Sequence, residues 1–352
     1  MKSIKDVDKN FEATNFPENV EFEWYNVEQE PFKIYGVFRE GDRFCRIPKK
    51  LAQEANEGVL ALYAQGAGGR VRFSTDSQYI AVSATLETIA KISNFTLIGA
   101  AGFDIYEKLP EREKYLRTFV PPYDVMEGFK NFVNLNDKRS RNLTLNFPLY
   151  SDVKTLYVGV EKGAKLEAAP DYTLQKPIVY YGSSITQGGC ASKPGSSYQN
   201  LITQQLDCDY INLGFSGSAL GEECMAKYIA DMDMSMFVLD YDHNAPTVEH
   251  LAKTHEPFFK IIREKNPNLP ILIMSRPVYD LSCDERKRFE IVRKTYSNAY
   301  NSGDRNVYLL SGPDLMADIK ENGLVDGCHP ADSGFVSMAN AIMPIIKRVL
   351  NI

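Results

Sequence analysis

The chain has 352 residues, 44% of them hydrophobic and 24% charged, with a formal net charge of -6. That length and balance allow a sizeable core and suggest two globular domains, and an acidic balance without a long lysine or arginine run argues against nucleic acid as the main partner. No stretch approaches the ~20 apolar residues that span a bilayer, and the opening MKSIKDVDKNFEATNF lacks the apolar run of a secretory signal. A soluble, cytoplasmic protein with no membrane partner is therefore expected. The six cysteines (Cys45, Cys190, Cys208, Cys224, Cys283, Cys328) are scattered without a CxxC pair, so they read as free thiols rather than a zinc cluster or disulfide framework.

Between residues 20 and 160 the segments EFEWYNV, FKIYGVF, VRFSTDS, YIAVSATL, LTLNFPLY and TLYVGVE are rich in β-branched and aromatic residues, with Gly, Pro, Asn and Asp between them. Many short strands with sparse helical periodicity predict a β-sandwich. The polar stretch EKGAKLEAAPDYTLQKP reads as a linker. Beyond it the pattern alternates. Strands are expected at Pro177–Tyr181, Tyr210–Leu213, Met236–Asp240, Ile271–Met274 and Val307–Leu310. Helices are expected at Ser197–Leu206, Glu222–Asp231, Thr247–Lys265, Glu285–Tyr300 and about 334–350, the last capped by Asp332 or Ser333 and holding Pro344. The expectation is a sandwich over residues 1–170, linker included, followed by an α/β domain with a doubly wound, mostly parallel sheet over 171–352. Ligands of such sheets bind at the carboxyl ends of the strands.

Four polar clusters stand at such ends or in a late loop. The first strand runs into Gly182-Ser183-Ser184-Ile185-Thr186, where Ser184 is either an exposed nucleophile at a helix start or part of an ordinary capped turn. The second runs into Asn212-Leu213-Gly214-Phe215-Ser216-Gly217-Ser218, which misses the last glycine of G-x-S-x-G. The third runs into Asp240-Tyr241-Asp242-His243-Asn244, where Asn244 offers amide hydrogens; Asp242 and His243 alone do not make a metal site. The late loop is Asp326-Gly327-Cys328-His329-Pro330. It places a carboxylate three residues before a histidine, as a serine nucleophile's base and its orienting group require. Its structural alternative is a turn leading into a helix. The other histidines of the long helix, His250 and His255, read as solvated. Arg276, after the fourth strand, would bind an acidic or sugar group or serve an ion pair.

Together these four segments resemble the consensus blocks of the SGNH, or GDSL-like, hydrolase superfamily, over residues 175–352. The resemblance implies a flavodoxin-like sheet and a serine esterase without metal or organic cofactor. It implies Ser184 as nucleophile, His329 and Asp326 as the rest of the triad, and Ser184, Gly217 and Asn244 as oxyanion donors; Asp242 and His243 stand where the third block usually has small residues and glycine, and they and Arg276, at the active end of the sheet, are candidate substrate contacts. Ser183 replaces the aspartate of G-D-S-L, and Ala245 the aspartate of the third block. Gly102-Phe103-Asp104-Ile105-Tyr106 resembles the G-x-D-L-Y motif that precedes some bacterial SGNH domains; as structure it reads as a β-turn with a packed tyrosine. A sandwich beside an SGNH domain resembles carbohydrate-active esterases, which implies a short acyl group, such as acetyl, on a glycan or other small polar alcohol. An acyltransferase using the same triad and a non-catalytic glycan-binding protein are the alternatives. A nucleotide-binding protein is disfavoured because the P-loop and G-x-G-x-x-G patterns are missing.

Overall fold

The computed structural model describes residues 7–8 and 16–352. Most of the N-terminal stretch read above for a leader lies outside the described residues. Among them, no helix is long and apolar enough to cross a membrane.

The N-terminal part is a sandwich of two antiparallel sheets. One orders the strands Phe22–Asn26, Asp152–Glu161, Tyr79–Glu87 and Gly128–Asn134. The other runs from Arg70–Thr75 through Arg141–Asn146 and Phe103–Lys108 to Glu113–Phe119, with Leu166–Glu167 and Lys33–Tyr35 both pairing with Arg70–Thr75. Alternate residues meet between the sheets: Val71 and Phe73, Ile80 and Val82, Phe103 and Ile105, Leu143 and Leu145, Leu156 and Val158 are all fully buried. Two strands that the sequence reading did not find, Glu113–Phe119 and Gly128–Asn134, lie at sheet edges. Edge strands carry charge on their open side, which hides the hydrophobic alternation. Three short helices, Lys49–Ala55, Glu57–Leu62 and Leu97–Ala101, also went unread.

The C-terminal part has five parallel strands in the order Cys208–Gly214, Leu174–Gly182, Met236–Asp240, Ile271–Met274, Val307–Leu310. This is the flavodoxin-like 2-1-3-4-5 arrangement. Its strands are apolar on both faces because helices cover both. Ile178, Tyr180, Met236, Val238, Leu272 and Met274 pack toward the helices Tyr198–Leu206 and Asp332–Leu350. Their neighbours Val179, Tyr181, Phe237, Leu239, Ile271 and Ile273 pack toward Glu223–Ala230, Val248–Lys265 and Cys283–Asn301. A capping box between Ser282 and Glu285 starts that last helix two residues before the expected Glu285. The final helix is capped by Ala331, not by Asp332 or Ser333. Asp332 instead accepts from the backbone N–H of Ser192 at 2.8 Å and the Ser196 hydroxyl at 3.0 Å.

The two parts meet over a polar seam. The Arg70 guanidinium is fully buried, donates to Asp209 at 2.7 Å and to the Tyr210 carbonyl at 2.8 Å, and lies 3.8 Å from the Tyr210 ring centre. Arg46 donates to the carbonyls of Leu62, Asn212 and Gly214. The G-x-D-L-Y-like segment belongs to this seam and is a strand, not the expected turn. Asp104 accepts from Asn146 at 2.8 Å and from the Gly195 N–H at 2.7 Å, and Tyr106 packs so closely that a Cβ on Gly195 would stand 2.2 Å from its hydroxyl. Burial pushes the Asp104 carboxyl up to about 6 against those donors.

Candidate active site

The first parallel strand ends at Gly182, in register with Gly214 and Asp240 of its neighbours. The chain then turns into the one-turn helix Ser184–Gln187, capped by the Ser183 hydroxyl, which accepts from the Ile185 N–H at 3.1 Å. Gly188, at φ +97°, ends it. A side chain at Gly214 has no room: its Cβ would stand 2.2 Å from the Gln187 nitrogen. The glycines thus let the Ser184 turn sit directly on the strand ends. Behind the turn, Thr186 donates to Asp240 at 2.9 Å. Burial, then the neighbouring Asp242, raise the Asp240 carboxyl well above the usual range.

Ser184, His329 and Asp326 form one hydrogen-bonded chain. Ser184 Oγ is 2.9 Å from His329 Nε2, and His329 Nδ1 is 2.8 Å from Asp326 Oδ2. An ionised carboxylate only accepts, so Nδ1 carries the proton and Nε2 of the neutral ring faces the serine as an acceptor. The other oxygen, Asp326 Oδ1, accepts from the backbone N–H groups of His329 at 2.7 Å and Cys328 at 3.0 Å. Burial opposes the Asp326 charge, but these donors and the imidazole hold its carboxyl well below the usual range. The loop itself is closed by the Val325 N–H donating to the His329 carbonyl at 2.8 Å.

The second strand end makes a β-turn, Ser218 N–H to the Phe215 carbonyl at 3.0 Å, with Gly217 at φ +65° in its third place. Open space surrounds Gly217 where a Cβ would stand. The turn is pinned from two sides. Asn244 Nδ2 donates to the Phe215 carbonyl at 2.8 Å, and the Ser216 N–H donates to Gln187 Oε1 at 2.9 Å. Gln187 in turn donates to Gln65 of the sandwich at 2.6 Å.

The remaining residues expected near the substrate make contacts within the protein. Asp242 is buried and accepts from the Arg276 N–H at 3.2 Å. The Arg276 side chain pairs with Glu285 at 2.5 Å and reaches the Gly327 carbonyl at 3.1 Å, so it steadies the loop that carries Asp326 and His329. His243 Nε2 lies 3.2 Å from Cys328 Sγ. His255, expected to be solvated, is 1% exposed and bonds Thr295 at 2.8 Å; burial brings its imidazole down to about 3. His250 is half-buried against the Leu220 carbonyl.

The sequence reading missed several neighbours. Asn94, from the sandwich, donates to Asp326 Oδ2 at 2.5 Å. Tyr150 donates to the Ser184 carbonyl at 3.2 Å. Neither lies in a motif, so no local signal pointed to them. Cys328 did have one, its place beside His329. Burial opposes ionisation of its thiol, yet His243 and His329 bring it down to about 6. Reciprocally the Cys328 sulfur, against burial and with Asp326, holds the His329 imidazole up at about 9. Among the described residues, Cys190, Asp326 and His329 place possible metal-ligating atoms within 4.8 Å of one another, but the last two are engaged with each other.

Comparison with known proteins agrees with this architecture. Residues 175–347 match the GDSL-like lipase/acylhydrolase family, and residues 22–166 match the GxDLY N-terminus of SGNH-hydro-type esterases. No curated relative matches at a significant level. Among solved structures, a GDSL-like lipase from Bacteroides ovatus has 24% identity and a TM-score of 0.85, covering 94% of this chain and 98% of its own. The salicylyl-acyltransferase SsfX3 of a tetracycline biosynthetic pathway has 21% identity and a TM-score of 0.75, covering 94% and 97%. A family two carbohydrate esterase from Cellvibrio japonicus has 10% identity and a TM-score of 0.60, covering 94% and 98%. With both parts of its length matched, the chain belongs to the GDSL-like (SGNH) lipase/acylhydrolase family, in the form that carries a GxDLY sandwich, and is a serine ester hydrolase.

Proposed function

We propose that Ser184 is the nucleophile of an esterase that releases a short acyl group, such as acetyl, from a carbohydrate or other polar alcohol. The observation that carries this reading is the unbroken chain from Ser184 through His329 to Asp326. His329 takes the Ser184 proton as Oγ attacks the ester carbonyl, and Asp326 keeps the ring in the required tautomer and balances the imidazolium. The oxyanion is met by the N–H groups of Ser184 and Gly217 and by the Asn244 amide. His329 then hands its proton to the departing alcohol, and water releases the acyl group by the same steps in reverse. No step needs a metal or organic cofactor.

The glycan part of the reading is supported by likeness in fold to solved structures named carbohydrate esterases, such as the one from Cellvibrio japonicus. A second reading, transfer of the acyl group to an acceptor alcohol, is favoured by the fold shared with SsfX3. The deciding experiment is hydrolysis of p-nitrophenyl acetate and of acetylated sugars by wild type and Ser184→Ala, with and without added alcohols. Activity confined to wild type is the expected result. Equal rates in the folded variant would remove Ser184 as nucleophile, and ester product growing at the expense of free acid would favour the transferase.

A further inference from the structure

The sandwich touches the carboxylate end of the triad through one side chain. Asn94 stands in the loop between the strand Tyr79–Glu87 and the helix Leu97–Ala101, and its amide Nδ2 donates to Asp326 Oδ2 at 2.5 Å. That oxygen also accepts from His329 Nδ1 at 2.8 Å, while Asp326 Oδ1 takes the backbone N–H groups of His329 and Cys328. An ionised carboxylate offers about four lone-pair sites. Asn94 supplies the fourth donor, and of these donors it is the one from outside the 326–330 loop.

The turn that carries Asn94 is braced on both sides. The Phe95 N–H donates to the Ile92 carbonyl at 3.1 Å, closing a turn around Ser93 and Asn94. Phe95 is buried and packs edge-on against Tyr150, ring centres 5.0 Å apart, and the Tyr150 hydroxyl donates to the Ser184 carbonyl. Thr96 donates to the Ser192 carbonyl, in the parallel-sheet part, at 2.7 Å and accepts from the Gly99 N–H at 2.9 Å. Asn94 itself is exposed, so water competes for its amide. A fixed turn reduces the entropy that an exposed side chain loses in holding one geometry.

We propose that Asn94 is a positioning residue of the active site, acting through Asp326 to fix the carboxylate that orients His329, so that the sandwich completes the catalytic machinery. The inference rests on the serine-esterase reading above and adds a fourth side chain to its triad. Two effects follow from the geometry. A carboxylate held by four donors cannot swing without breaking several bonds at once, so the ring it holds stays aimed at Ser184. The amide also stabilises the ionised carboxylate, which weakens the pull of Oδ2 on the Nδ1 proton.

The test uses Asn94→Ala, which removes the donor, and Asn94→Asp, which keeps its shape and sets a second carboxylate against the first. The position is exposed, so both variants should fold with the thermal midpoint of wild type. With p-nitrophenyl acetate, kcat should fall about ten-fold in Asn94→Ala, the lower end for a hydrogen bond to a charged group because water reaches the site. It should fall further in Asn94→Asp, with KM unchanged in both. Proton NMR, which needs no turnover, should find the His329 Nδ1 proton at a new shift in each variant. A role limited to seating the loop would lower the thermal midpoint and leave that proton where it is. Wild-type kcat in Asn94→Ala, with or without a raised KM, or an unmoved Nδ1 proton would each overturn the proposal. Turnover that survives in Ser184→Ala would overturn the serine reading separately, and the Nδ1 proton would still report whether Asn94 acts on the Asp326–His329 pair.

Discussion

At the scale of single residues, the loop 326–330 holds three titratable side chains, Asp326, Cys328 and His329. Cys328 raises His329 more than any other group does, and together with Asp326 holds the ring at about 9. If His329 is the general base proposed above, it works only when neutral, so kcat/KM should rise with pH through that value rather than through the ordinary histidine range. Cys328→Ser removes the first cause, and the acid limb of the pH–rate profile should move to lower pH; an unmoved limb would show that the sulfur does not set the base. Asn244 is tested differently. Its amide bonds the Phe215 carbonyl and leaves a second hydrogen for the oxyanion, so Asn244→Ala should cut kcat by ~10²–10³ with little change in stability. Unchanged turnover would leave it a scaffold residue that pins the Phe215 turn. Legibility at this scale followed motif membership. Ser184, Asp326 and His329 stood in short blocks, and the fold brings them within hydrogen-bonding distance. Asn94 and Tyr150 come from loops of the N-terminal part, one reaching the Asp326 carboxylate and the other the Ser184 carbonyl, and no spacing along a chain encodes a contact made across 232 residues.

At the scale of elements, the five parallel strands were legible because each is a compact apolar run between turn residues. The strands of the sandwich that face both sheets were legible by their alternation. Glu113–Phe119 was not: its exposed edge positions carry Lys114 and Tyr115, which reads as a loop. The G-x-D-L-Y-like segment failed for another reason, since Asp104 and Tyr106 are polar yet buried, partnered across the seam rather than locally. The most demanding junction is where strand ends meet the Ser184 turn. Gly214→Ala would drive a methyl to 2.2 Å from the Gln187 nitrogen and 2.6 Å from the Thr186 carbonyl carbon, both backbone atoms that cannot swing away. Overpacking of this kind costs about 1–3 kcal/mol. The variant should show a lowered thermal midpoint, and its folded fraction should also lose activity, because the displaced turn carries Ser184. Loss of stability with full specific activity would mean that the strand gives way instead of the turn.

At the scale of the whole molecule, the seam between the sandwich and the parallel sheet is built like an interior. Arg70 is fully buried and Asp209 nearly so. Arg70→Ala leaves that carboxylate enclosed without its counter-charge, a change that typically costs about 3–5 kcal/mol. Equilibrium denaturation should show this as an earlier midpoint, and a second transition would show that the two parts had come uncoupled; no shift would mean that water replaces the guanidinium. The relay from Gln65 to Gln187 to Ser216 adds a constraint of inheritance. The relay has a direction: the Gln187 amide accepts from the Ser216 N–H and donates to the Gln65 amide oxygen. Neither glutamine can change alone without leaving an enclosed polar group unmatched, so the two positions should drift together or not at all. A chimaera that grafts a foreign sandwich onto this sheet would have to bring a matching acceptor at position 65, or the 215–218 turn would inherit a broken brace.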